Sequence, residues 1–562
     1  MGRMVDSLAM KTLPLRLWAL ACLSGVLHVL SFPLAGPVPV WRTAACWVCL
    51  WPLLYALAAE NKFGRPVNVL QAAFIGYLAG FVFYLGNCYW IFETMNLYGG
   101  LPKPVAAGIV VLFALYLGLY LALFGALIAF ARVRFGRQAA MLLSPFLWVA
   151  VELARARITG FPWDLLGNSQ VDNPLLTRLA PWGGVYALSF VIATVNALWL
   201  VRIRLRARKY LRPALALGLV TICGLYLLAL RRLPARPEAV PTASATLLQE
   251  NLGVGEESRG PVETQEDKIA SFAHLSRNPV HTELVGIPEL SGTKSITLPE
   301  FAYVMKPGEE SYQPADLIVW PESPSGFRSN DPAFLARMHE LSDSSRALLI
   351  VGALGVVPDA RNPRGGSLYD SAAMFSPGES GSGRYDKIHL VPWGEYIPFQ
   401  RFFFFANKLT AGVGDMDPGT ERSVLRRGGH QYGIFICYES IFGDEVRQFV
   451  KNGAEVLVNI SDDGWYGDSG AAWQHLNMVR MRAIENHRWI LRSTNTGITS
   501  TVSPSGRVVA ALPRKIRAAI NVPFGYEQDV TFYTRHGDLL AYACALVAMA
   551  MLALGFGRSV NS

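Results

Sequence analysis

Apolar positions are spread unevenly along the 562 residues of the chain. From 1 to 231, and again from 538 to 557, they run on in long stretches, whereas 240–535 has the mixed composition of a globular domain. About 20 apolar residues cross the hydrocarbon core of a bilayer, so the pattern predicts eight spanning helices: 12–31, 41–59, 68–91, 105–131, 138–155, 183–201, 213–230 and 538–557. Inside 240–535 the period changes. Strand-like runs occupy 315–323, 347–354, 367–377, 432–440, 454–463 and 488–504, and helix-like runs 331–346, 443–452 and 471–487. In the last of these, Leu476, Val479, Met481 and Ile484 keep only a loose helical spacing. Several strands are apolar on both faces, as in a sheet covered on both sides, and the alternation with helices predicts an α/β layered domain. The stretch 253–314 is polar, rich in Gly, Pro, Glu and Ser, and longer than an ordinary loop; it reads as an insertion or lid. The expected organisation is a polytopic α-helical membrane protein of about eight transmembrane helices: a seven-helix domain at 1–231, an α/β domain at 240–535, and a last helix with a short tail at 538–562.

Charge orients this arrangement. Lys and Arg in the loops around 3–16, 62–65, 132–137 and 202–212 number about 14, against about 5 in the alternate loops, and the richer side is the cytoplasmic one. Seven crossings then put 240–535 outside the cytoplasm and the eighth returns the C-terminus inside. The net charge of +9 is mostly this loop asymmetry, and it makes no case for nucleic-acid binding. The first apolar stretch is too long, and lacks the small-residue cleavage site, for a cleaved signal peptide.

Six of the seven cysteines lie in spanning stretches, so Cys437 stands alone in the polar domain and cannot form a disulfide within it. Cys46 and Cys49 make a C-x-x-C in the middle of a predicted span, where small apolar filler is the better reading. A lone cysteine is either a small buried hydrophobe or a nucleophile, and its company decides. "IVWPES" leaves Glu322 just after a strand, "RYDKIHLVPWGEYIP" places Lys387 and Glu395 in a connection, and "GIFICYES" ends a strand on Cys437 and Glu439. Active residues gather where loops leave the carboxyl ends of strands. A carboxylate can take the thiol proton during attack. An ammonium and the backbone N–H after the nucleophile can stabilise an oxyanion. Each residue also has a plainer role open to it. Glu322 could cap the helix entering at 331, Lys387 and Glu395 could form a surface pair worth little, and Glu439 could suit the start of the helix at 443. His389 is the only histidine near the motifs, which leaves a Cys437–His389 dyad as the weaker alternative.

In order, W-P-E, Y-D-K-x-H-L-V-P-x-G-E and C-Y-E resemble the Glu–Lys–Cys layout of the nitrilase superfamily. "VELARARITGFPWDLLGNSQVDNPLLTRLAPWGG" (151–184), "NCYWIFETMNLYGGLP" (87–102) and the stretch 461–500 resemble its membrane-bound branch, the apolipoprotein N-acyltransferases, over nearly the whole chain. The resemblance implies a four-layer α-β-β-α sandwich at 240–530. It implies Glu322 as general base, Lys387 as oxyanion stabiliser and Cys437 as nucleophile, with Glu395, Tyr438 and Glu439 in support. Trp393, Trp465 and Tyr466 are candidates for substrate binding or a lid, or else core filler. The implied reaction passes the sn-1 acyl chain of a glycerophospholipid through a Cys thioester to the α-amino group of a diacylglyceryl-cysteine at a prolipoprotein N-terminus. It implies an enzyme of the bacterial inner membrane with its catalytic domain on the periplasmic side, surrounded by membrane lipids, monomeric, with no cofactor and no metal. The chain departs from the family where relatives tend to have Tyr-Asn-Ser and it has Tyr369-Asp370-Ser371, and no Trp follows Gln249 and Asn251 closely. A membrane-anchored amidase hydrolysing C–N bonds is the alternative reading, separated by the acceptor, water or an amine; a receptor-like binding protein fits poorly with a complete Glu–Lys–Cys set.

Overall fold

The computed structural model describes residues 13–204, 241–253, 264–279, 282–284, 303–305, 315–322, 326–358, 366–396 and 416–557. Among them, five helices are long and apolar enough to cross a membrane: Val69–Asn87, Lys103–Phe135, Arg137–Thr159, Thr177–Leu198 and Leu539–Gly557, with a shorter apolar helix at Leu15–Leu30. The expected span 213–230 lies outside the described residues. The span expected at 41–59 is not one helix but three pieces, Val40–Thr43, a 3-10 turn Ala44–Trp47, and Trp51–Leu57. Pro52 opens the last piece, where a missing N–H costs nothing. The break is satisfied from a neighbouring helix: Asn196 accepts from the N–H groups of Leu50 and Trp51 (2.9 and 3.0 Å) and donates to Cys46 O (2.9 Å), as irregular backbone buried at membrane depth requires. Helices Val69–Asn87 and Lys103–Phe135 meet along Gly76, Gly80, Gly118 and Gly125. A Cβ on Gly76 would fall 2.1 Å from Leu121 O, and one on Gly125 2.2 Å from Ala72 O, so the backbones touch through small residues.

The polar domain is built on two six-stranded sheets. The strands are β1 (Ala243–Gln249), β2 (Thr282–Leu284), β3 (Tyr303–Met305), β4 (Leu317–Val319), β5 (Leu348–Pro358), β6 (Gly366–Phe375), β7 (Ser382–Asp386), β8 (Val424–Arg427), β9 (His430–Ile436), β10 (Val456–Ser461), β11 (Ile490–Thr494), β12 (Ser500–Val502), β13 (Val508–Ala511) and β14 (Ala518–Phe524). One sheet runs β14-β1-β4-β5-β6-β7 and the other β13-β12-β11-β10-β9-β8, with β2 and β3 paired separately. In each sheet the central pairs, β1–β4–β5 and β9–β10–β11, are parallel and the outer ones antiparallel. The run expected at 488–504 is two strands, β11 and β12, joined by a turn.

Alternation explains the layers. Leu317 and Val319 of β4, with Leu348 and Ile350 of β5, share one core with Ile434, Ile436, Val458 and Ile460 of the facing sheet. Ile318, Leu349 and Val351, one residue out of phase, form a second core under the helices Gln265–Arg277 and Pro332–Ser345. Helices Gly443–Lys451 and Ala471–Asn486 lie on the other sheet. The result is the expected α-β-β-α sandwich. The stretch 253–314 is not wholly an insertion: Gln265–Arg277 begins on a Thr264/Asp267 capping box and buries Phe272 against Trp320, so it belongs to the outer layer. Its polar composition hid a helix with one narrow apolar stripe.

The outer face of Ala471–Asn486 does not meet water. Ala471, Met478, Met481 and Ile484, with Tyr438, Ile441, Phe442 and Tyr466, are part of the membrane half's own core. Polar contacts register the seam. Gln474 accepts from Trp163 Nε1 (2.7 Å) and donates to Pro33 O (2.8 Å), and Glu485 accepts from Val185 N (2.8 Å). Arg157 pairs with Asp444 and, at 2.5 Å, with Asp538 at the start of the last helix.

Candidate active site

Glu322 follows β4, Lys387 follows β7, and Cys437 follows β9, so loops from both sheets bring the three together at one end of the sandwich. Apolar β9 is buried from Tyr432 to Ile436, and it ends at Cys437 with φ at +45°. A non-glycine residue rarely adopts this left-handed conformation, and such strain persists only where surrounding contacts hold it. It turns the chain directly into a 3-10 turn, Cys437–Ile441, and leaves the nucleophile candidate on a sharp corner.

Lys387 is wholly buried and its ammonium faces three carboxylates: Glu322 Oε1 at 2.8 Å, Asp370 Oδ2 at 2.9 Å and Glu395 Oε1 at 2.5 Å. All three N–H donors of the ammonium are thus committed. Burial by itself would lower Lys387, yet Asp370, Glu322 and Glu395 outweigh it and hold the ammonium well above the ordinary lysine range. Burial would raise Glu322, but Lys387 and the hydrogen bonds pull it below the usual carboxylate range. Asp370 goes the other way: burial, reinforced by Glu322 and Glu395, lifts it well above its ordinary value. Glu395 is also raised, by burial first. Burial and then Glu322 push the Cys437 thiol up, so a base must take its proton during attack. A metal would need the three carboxylate oxygens, which lie within 4.8 Å of one another; the Lys387 ammonium already sits among them.

Glu439 does not serve the following helix. It is 2% exposed; Oε1 accepts from Tyr385 OH (2.8 Å), Ile388 N (2.7 Å) and His389 N (3.2 Å), and Oε2 from Ile436 N (2.7 Å). One carboxylate therefore ties the end of β9 to the loop carrying Lys387. A second buried network lies behind the corner. His475 Nε2 is 3.0 Å from Cys437 O and 2.5 Å from Ser440 Oγ, its Nδ1 is 2.9 Å from Asp463 Oδ1, and Arg492 donates to Asp463 Oδ2 at 2.6 Å. Burial would raise Asp463, but Arg492 and His475 hold it far below the usual carboxylate range. Sequence reasoning missed His475, Asp463, Arg492 and the place of Asp370 beside Lys387. The one signal available was charged and polar residues inside runs otherwise read as core.

The aromatic candidates part company. Trp393 (φ +66°) is 38% exposed. Trp465 meets Tyr98 edge-on, and its carbonyl accepts from Thr94 Oγ1 at 2.8 Å. Tyr466 is buried rather than at the surface, edge-on to Trp90, Trp163 and His475. Tyr438 donates its OH to Gly160 O (2.9 Å) across the seam. His389 stacks on Phe442 (4.3 Å between ring centroids) and faces Glu445 (3.4 Å), which gives no support to a dyad with Cys437. Just past Trp465, Gly467 (φ +56°) passes so close to Glu93 that a Cβ would lie 2.4 Å from its Oε2. Only glycine fits there without strain.

Residues 24–198 match the family described as the apolipoprotein N-acyltransferase N-terminal domain, and residues 297–522 the carbon-nitrogen hydrolase family. The chain is 34% identical over 555 residues to the apolipoprotein N-acyltransferase of Geobacter metallireducens, covering 97% of this chain and 96% of that one. The chain belongs to the apolipoprotein N-acyltransferase family. The members of Ralstonia nicotianae and Pseudomonas syringae are 30% and 29% identical, covering 98% and 91% of this chain and 95% and 94% of theirs. Among solved structures, a nitrilase-superfamily protein of Saccharomyces cerevisiae is 16% identical, with a TM-score of 0.33, covering 50% of this chain and 89% of that one. Within the apolipoprotein N-acyltransferase family, then, the first match falls on the apolar helices and the second on the nitrilase-like sandwich.

Proposed function

We propose that the chain passes the sn-1 acyl chain of a glycerophospholipid to Cys437 as a thioester, and then to the α-amino group of the diacylglyceryl-cysteine that begins an apolipoprotein. The observation that carries this reading is the setting of Cys437: a strained corner at the end of β9, within the field of Glu322 and Lys387, next to Tyr438, which packs on the membrane half. In the first half-reaction Glu322 takes the thiol proton as sulfur attacks the ester carbonyl, and gives it to the departing lysophospholipid oxygen. With all its N–H groups bound to carboxylates, Lys387 stabilises the oxyanion chiefly through its field, and the N–H of Tyr438 supplies the directed donor. Glu395 orients Lys387, and Glu439 fixes the distance between its loop and the thiol.

The domain boundaries 1–231, 240–535 and 538–562, about eight spans, a monomeric state, a bacterial inner membrane and a periplasmic catalytic domain belong to the same proposal. Lipid chains that stay in the bilayer, with head groups at its face, need a nucleophile at that face. Trp393 and Trp465 suit the interface, where amphipathic rings are favoured. Covalent catalysis of this kind is ping-pong. Phospholipid alone should add one acyl chain to the protein's intact mass, and diacylated lipopeptide should discharge it as amide. Cys437→Ala should never load. Decay to free fatty acid at one rate with or without lipopeptide, or full turnover by the alanine variant, refutes the reading.

A further inference from the structure

The second half-reaction contains a proton that the residues named so far do not take. The acceptor amine is an ammonium at neutral pH, since an α-amino group has a pKa of about 7.7–8.0. As the C–N bond forms and the C–S bond breaks, nitrogen sheds two protons and the departing thiolate takes back one. Glu322 can carry that one to sulfur. The other must leave before attack, because an ammonium has no lone pair to offer the thioester.

Most carboxylates around the thiol are already committed. Glu322, Asp370 and Glu395 face Lys387, Glu439 holds four donors, and Asp463 is fully buried against Arg492 and His475. Asp462 differs. It lies at the end of β10, and its backbone N–H donates to Glu322 Oε2 at 2.7 Å. The residue is half-buried, and among the described residues its hydrogen-bond donors are neutral: Gly464 N at 2.9 Å on Oδ1 and Asn495 Nδ2 at 3.2 Å on Oδ2. The membrane half lies beyond it, with Tyr98 within reach of its charge.

We propose that Asp462 binds the α-ammonium of the acyl acceptor and takes its first proton. The reading rests on the acyl-enzyme proposed above. The ammonium docks on Asp462 between Glu322 and the membrane edge and gives Asp462 one proton. The free amine then attacks the thioester carbonyl, and its second proton passes through Glu322 to the Cys437 sulfur as amide leaves. Asp462 returns its proton to solvent. Burial, then the neighbouring charges of Glu322 and Asp463, raise Asp462 to about 7; among the described residues these two carboxylates and Tyr98 are titratable groups that face it. A proton moving from an ammonium of pKa about 7.7–8.0 to such a carboxyl meets almost no barrier from mismatch.

The test uses the full-length enzyme loaded from phospholipid, and follows discharge of the loaded fraction by intact mass. Two nucleophiles are compared at pH 7: diacylated lipopeptide, an ammonium, and hydroxylamine, which is neutral. Asp462→Asn keeps the acceptor oxygen for Gly464 N–H, so the turn survives. The expected result is lipopeptide discharge slowed at least about tenfold and hydroxylamine discharge within about twofold of the unsubstituted enzyme. The lipopeptide deficit should shrink as pH rises past the amine's own pKa. Equal slowing of both nucleophiles, or unchanged lipopeptide discharge, overturns the assignment while leaving the acyl-enzyme intact. An unsubstituted enzyme that never loads refutes the acyl-enzyme reading itself, and this inference with it.

Discussion

Asp370→Asn probes the charge balance around Lys387. Glu322, Asp370 and Glu395 place oxygens within 4.8 Å of one another around a single buried ammonium. At an effective dielectric of about 20, two unit charges at that distance repel by roughly 3.5 kcal/mol. That repulsion, set against the attraction of Lys387, favours a proton on one of the three, and the group pushed up most is Asp370, by burial first and then by the two glutamates. The sign follows from linkage. A carboxyl whose folded value exceeds its unfolded value, about 3.9, contributes stability that is fully present below the unfolded value and is lost as pH rises toward the folded one. That loss runs at about 1.4 kcal/mol per pH unit. Asparagine mimics the protonated acid, with an oxygen for Lys387 Nζ and an NH2 group for Glu322, and it has nothing to titrate. The variant should thus gain on the unsubstituted enzyme by about 1.4 kcal/mol between pH 5 and pH 6, a Tm gap widening by about 3–6 °C at 2–4 °C per kcal/mol, while still forming the acyl-enzyme. Thermal unfolding in detergent at the two pH values reads this directly. A gap that stays constant would mean that Asp370 is ionised in the folded protein at both, and the charge argument would fail.

Glu439→Gln sets an amide NH2 among N–H and O–H donors. Leaving at least one of them unpaired should cost about 1–3 kcal/mol and slow loading from phospholipid by about tenfold or more; normal loading would remove Glu439 from its positioning role. For topology, a reporter enzyme active only outside the cytoplasm should work when fused near residue 300 and fail at 562, and the reverse pattern would overturn the orientation.

Glu322 and Cys437 read as residues at strand ends, but Lys387 read only as part of a connection, because the short strand before it, β7, is too polar to stand out; it was the order of the three motifs that joined them. Strands apolar on both faces pointed to a sheet covered on both sides; the four-layer sandwich came from the family resemblance. What stayed hidden depended on partners remote in sequence. Asp370 reads as one more polar residue in a strand until β6 and β7 pair and bring it to Lys387. Leu476, Val479, Met481 and Ile484 looked loosely spaced because their helix is covered on two sides, by the sheet and by the membrane half. A helix covered on two faces loses the single stripe that periodicity detects. The break at 44–50 escaped notice because Asn196, about 150 residues later, supplies its hydrogen bonds.

The seam between the two halves also bears on the order in which the protein can be made. Met478, Met481, Ile484 and Tyr438 find their apolar surroundings largely among helices synthesised hundreds of residues earlier, so the sandwich has most of its template waiting as it folds. Arg157, part of that template, finds one of its two carboxylates only at Asp538, where the last helix begins. Until then, its other partner, Asp444, holds it alone. A chain cut short before that helix would present a seam with an open edge, so the final crossing acts as the clasp that closes the assembly.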